Sequence, residues 1–147
     1  MTITLNRNWV NTLVVSLPDY ADELGKHIQS AMTDNALTEL DRHVCALAAA
    51  LADNNGELAF EIAMSNELRG NDIREDVAKT VIALTADLAN ATDNATLYAL
   101  ATSYVLKNDR QSHLLVEKLS EAGYTSDQLR AVHRIASLIP AIRKCLI

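Results

Sequence analysis

Apolar residues along this chain return every third or fourth position and never settle into alternation. After Asp72 the large apolar side chains are Ile73, Val77, Val81, Leu84 and Leu88, whose spacing puts all five on one helical face. Leu40, Val44, Leu47 and Leu51 form a second such stripe. No segment shows the period of two that a half-buried strand needs. The composition agrees: Leu and Ala carry the apolar content, and only four Gly and two Pro punctuate 147 residues. A hydrophobic share of 49% is too high for disorder and enough for a packed core. These features predict an all-α fold, a single-domain helical bundle over residues 1–147.

Helix boundaries are marked along the chain. The stretch WVNTLVVSLPDYADELGKHIQSAM predicts a short first helix and a second beginning at Pro18, a residue suited to a first turn. Thr38-Glu39-Leu40-Asp41 reads as a capping box that starts the next helix, which Asn54-Asn55-Gly56 ends. A helix from about Glu57 is expected to stop near Gly70, with Asp72 capping the one after it. Asp93 precedes a helix through Leu106; Lys107-Asn108-Asp109 then breaks the chain before an amphipathic helix that ends at Gly123. Thr125-Ser126-Asp127-Gln128 is a second capping box, and Pro140 is expected to end or kink the last helix.

These breaks recur. At a constant offset of 53, Ala46, Leu47, Ala48, Asn55, Gly70, Ala78, Ile82 and Ala83 match Ala99, Leu100, Ala101, Asn108, Gly123, Ala131, Ile135 and Ala136. The matched breaks and glycines weigh more than the alanines, because they fix where helices end. Two pseudo-repeated helical units are expected, over about residues 36–90 and 93–142.

Charge is unevenly spread. Residues 1–106 carry 6 Lys+Arg against 15 Asp+Glu, and residues 107–147 carry 7 against 4, so the formal charges are −9 and +3. A net charge of −6 argues against a nucleic-acid partner; the asymmetry reads as a set of solvated faces or, more sharply, as self-association, basic end to acidic part. Cys45 and Cys145 form no CxxC, so a disulfide scaffold is not expected and a cytoplasmic location is. The run WVNTLVVSL is shorter than the ~20 residues of a membrane span, and no signal-peptide pattern surrounds it.

The segments LPDYADEL, TLYALATSYVLKN and EKLSEAGYTSDQLRAVHRIASLIPAIRKCL carry a family likeness. Over residues 12–146 the chain resembles the alkylhydroperoxidase D and carboxymuconolactone decarboxylase superfamily. The resemblance implies a helical bundle of that type and a homo-oligomer, most simply a trimer. In catalytic members of that family a CxxCxxxH motif opens a helix, with a carboxylate on the preceding helix. A thiolate there attacks a peroxide, and a second cysteine resolves the sulfenic acid. Aligned on Gly123, the two cysteine positions fall on Asn108 and Gln111, the histidine on Leu115 and the carboxylate on Thr96. Aligned on Gly70, the first unit offers Asn55, Leu58 and Ile62, again without a thiol. A shift of two residues brings in His113 but no cysteine. Peroxidase activity that depends on CxxC is therefore not expected. The expected function is binding, of a small molecule near Asn108 or of a partner. The alternatives are an antioxidant hydroperoxide reductase using Cys45 and a non-redox decarboxylase-like enzyme using His113 or His133.

Other constellations have plain readings beside the chemical ones. Cys45 and His43 are two residues apart, so on a helix they point to different faces, and a buried structural thiol is the expectation. Glu23/His27, Glu39/His43 and His113/Glu117 have an i,i+4 spacing that can hold a metal but more often marks solvated pairs. Arg130, His133, Arg134, Arg143 and Lys144 could bind an anion or an acidic partner surface, but a solvated basic face or a subunit contact is the expectation. No cofactor or metal is expected.

Overall fold

The computed structural model describes residues 9–65 and 93–146. Seven α-helices are present among them: α1 Trp9–Ser16, α2 Asp22–Ala31, α3 Glu39–Ala52, α4 Gly56–Ala63, α5 Asp93–Val105, α6 Asp109–Glu121 and α7 Ser126–Leu146. No strand occurs among the described residues, so the fold class is all-α as expected. The stripe from Ile73 to Leu88 and the glycine Gly70 lie outside the described residues.

Helix α3 is the centre of the packing. Residues 43 to 50 are all buried, and the helix packs on α4, α5 and α7. A helix buried all round must be lined by side chains that let its neighbours close in, and Ala46, Ala48, Ala49 and Ala50 do this with no loss of helix propensity. The stripe begins later than expected, since Leu40 is 43% exposed. Helix α5 fills the space between α3, α6 and α7 with Leu97, Ala99, Leu100 and Ala101. Gly25 permits the close approach of α1 to α2, because a Cβ there would stand 3.3 Å from Val14 Cγ1. No helix among the described residues is long and apolar enough to cross a membrane.

Three boundaries differ from expectation. Pro18 opens a single 3-10 turn, Asp19–Ala21, and the α-helix begins only at Asp22. Helix α4 stops at Ala63 rather than near Gly70. There the Ser65 hydroxyl donates to the Ile62 carbonyl at 2.6 Å, a local bond that competes with helix continuation. Helix α7 runs through Pro140 to Leu146. A proline inside a helix costs about 3 kcal/mol, and burial of Ile135, Ile139 and Ile142 on both sides of it offsets that cost.

Candidate functional site

The corner between α5 and α6 holds the positions singled out from sequence. Helix α5 ends in a Schellman turn: Asn108 N–H donates to Ser103 O at 3.1 Å and Lys107 N–H to Tyr104 O at 3.2 Å. Lys107 takes the left-handed conformation that this turn demands, with φ 57. Asn108 then caps α6, its Oδ1 accepting from Gln111 N–H at 3.2 Å while its Nδ2 donates to Gln111 Oε1 at 3.1 Å. The two carboxamides are thus closed on each other at the mouth of the helix. Leu115, one turn further, is wholly buried in the core, and Thr96 is wholly buried on α5. The structure therefore brings Asn108 and Gln111 together at the surface and buries the other two positions, Leu115 and Thr96, away from them.

The α3–α4 corner has the same local geometry 53 residues earlier. Asn54 has φ 56, Asn55 N–H donates to Ala50 O at 3.0 Å, and Asn55 Oδ1 accepts from Leu58 N–H at 3.2 Å. A buried hydroxyl pair stiffens the α5–α6 corner from inside. Ser103 Oγ lies 3.0 Å from Leu100 O and 2.7 Å from Ser112 Oγ, so the two hydroxyls share a hydrogen bond inside the corner.

The titratable candidates are scattered. His113 lies on the exposed face of α6, with Nε2 3.9 Å from Glu117 Oε1. His133 is exposed on α7 and meets Tyr104 edge to face at 4.7 Å. Cys45 is fully buried on α3; burial, reinforced by the Asp41 carboxylate, pushes its thiol far above the usual range. The same two causes raise the Tyr98 phenol, which donates to Asp41 Oδ1 at 3.1 Å. Cys145 is half-buried near the end of α7.

Several polar side chains serve as braces, a role that sequence spacing did not reveal. Arg143 Nε stands 3.1 Å from the carboxylate of Asp53 at the end of α3, and Arg134 donates to Ser30 Oγ of α2 at 2.8 Å. Arg130 pairs with Asp127 at 2.7 Å. Trp9 Nε1 donates to His43 Nδ1 at 2.9 Å, tying α1 to α3. An indole can only donate, so this bond requires the His43 tautomer with its proton on Nε2. The expected Glu23/His27 pair gives way to a Lys26–Glu23 contact at 3.4 Å, with both side chains exposed. Among the described residues no group of three or more His, Cys, Asp or Glu could hold a metal ion.

No protein-family model matches this chain, and no curated protein matches it significantly.

Proposed function

We propose that this chain is an alkylhydroperoxidase D and carboxymuconolactone decarboxylase-like protein that works without thiol chemistry, binding a small molecule or a partner as a homo-oligomer. The observation that carries the reading is the Asn108–Gln111 carboxamide pair closed over the N-terminus of α6. Carboxamides donate and accept hydrogen bonds but supply neither a nucleophile nor an electron pair for disulfide formation. The likeness of the α3–α4 and α5–α6 corners supports two pseudo-repeated units. Exposed Leu106 and Leu114, which flank Asn108 in sequence, support a contact surface beside it. A trimer is the simplest assembly that the family resemblance suggests. The antioxidant alternative would need Cys45, which peroxide cannot reach, and the decarboxylase-like one rests on histidines that are far apart in sequence and individually exposed.

The test has two arms. Wild type with an organic hydroperoxide and a dithiol reductant should show no sustained turnover; turnover abolished by Cys45→Ala would make Cys45 the nucleophile and overturn the reading. Asn108→Cys combined with Gln111→Cys should oxidise to an intrachain disulfide, because those side chains already touch. Failure of the two thiols to pair would break the alignment on which the family reading stands.

A further inference from the structure

Helices α1, α2 and α3 enclose a cleft of about 320 Å³ that is separate from the α5–α6 corner. Glu39, Arg42 and His43 line it from one face of α3, at spacings of three and four residues. Gln29 and Met32 line it from α2 and its cap, and Val10 from α1.

The orientation of Arg42 is the unusual feature. Its Nη1 donates to two backbone carbonyls, Asp34 O at 2.9 Å and Leu37 O at 2.8 Å, so the guanidinium is clamped by the loop before α3. Its Nε is buried without a hydrogen-bond partner. The guanidinium thus stands in the cleft wall with its position fixed and with donor capacity that the protein does not use. A cation fixed in advance in a cleft wall loses little freedom when it pairs with a carboxylate. Glu39, one turn earlier on the same face, puts an exposed carboxylate at the cleft and opposes a ligand with two negative charges. Val10 and Met32 are 8% and 7% exposed and supply an apolar wall. One cation, one anion and an apolar wall together fit a zwitterion with a hydrocarbon side chain.

We propose that this cleft binds a free α-amino acid with an aliphatic side chain. The carboxylate sits on Arg42, the ammonium on Glu39, and the side chain against Met32 and Val10. This assignment does not rest on the reading of the α5–α6 corner and can fail or stand without it.

Trp9 is the sole tryptophan and is hydrogen-bonded to His43 in the cleft wall, so its emission reports on occupancy. Titration of wild type with L-leucine should give a saturable change at roughly 0.1–1 mM, a range suited to so small a ligand. Calorimetry should give the same midpoint. 4-Methylpentanoate, which lacks the ammonium, and L-leucinamide, which lacks the carboxylate, should each bind roughly tenfold more weakly or worse. Glu39→Gln should reduce leucine to the level of 4-methylpentanoate while leaving the binding of 4-methylpentanoate itself no weaker. Arg42→Gln, which removes the cation, should abolish the preference for leucine over leucinamide. Arg42 also braces a loop, so if that variant does not fold, Glu39→Gln alone decides. The proposal is overturned by no saturable signal from either method up to about 10 mM. Equal affinity for leucine and either analogue, or wild-type leucine binding by Glu39→Gln, would overturn it as well.

Discussion

At the residue scale, the half-buried Asp41 links two buried acids. It accepts from Tyr98, and its charge raises the thiol of Cys45 on the same helix. Both acids hold their protons more tightly in the fold than in the unfolded chain. Below their ordinary ranges, about 8.5 for a thiol and about 10 for a phenol, neither is ionised in either state and their contribution is fully present. As pH rises through those values the unfolded chain releases protons that the folded chain retains, and stability falls. Thermal unfolding should therefore lose midpoint steadily above about pH 8.5. In Tyr98→Phe, melting curves at several pH values should show a shallower alkaline decline, and an unchanged slope would show that this phenol is not responsible.

At the element scale, three helices end by the same device. Asn54, Lys107 and Gly123 all have positive φ, and the residue after each donates back to a carbonyl in the last turn. Gly123 adopts this conformation without a Cβ penalty; Lys107 does not. Lys107→Gly should therefore stabilise the fold by about 0.5–1 kcal/mol, the relieved strain less the added freedom of the unfolded chain. Asn108→Ala removes the cap of α6 and should cost about 1 kcal/mol. Asn108→Asp keeps the acceptor and should cost less. Urea unfolding of the three variants gives the order directly; a destabilised Lys107→Gly would mean that the lysine side chain packs usefully on its neighbours.

At the scale of the whole molecule, the basic C-terminal part is partly tied into the fold. Arg143 and Arg134 bind α7 to the end of α3 and to α2 while staying in contact with solvent, and Arg130, His133 and Lys144 lie on the exposed surface as well. In the proposed assembly they would face acidic residues of another copy, such as the exposed Glu57 on α4. We expect light scattering at moderate salt to give more than one chain's mass, with association weakening as salt is raised. A monomer at micromolar concentration would remove both the assembly and its electrostatic rationale.

The sequence by itself determined what depends on neighbours three or four residues away. The helical class follows from apolar spacing. The caps at Thr38, Asn55, Asn108 and Thr125 follow from side chains that bond their own backbone, and the turn at Gly123 from a residue that takes positive φ without a Cβ penalty. The carboxamide pair was legible too, as two residues without a thiol, although its closure on itself was not. Tertiary structure alone decided the rest. Trp9 with His43 and Tyr98 with Asp41 join residues 34 and 57 positions apart, and Arg134 reaches Ser30 across 104. No local pattern encodes such partners, because they meet only once helices have chosen their faces. Pro140 makes the same point in reverse. Local chemistry allows a helix to end there, yet burial of the isoleucines around it outweighs the lost hydrogen bond, and α7 continues to Leu146.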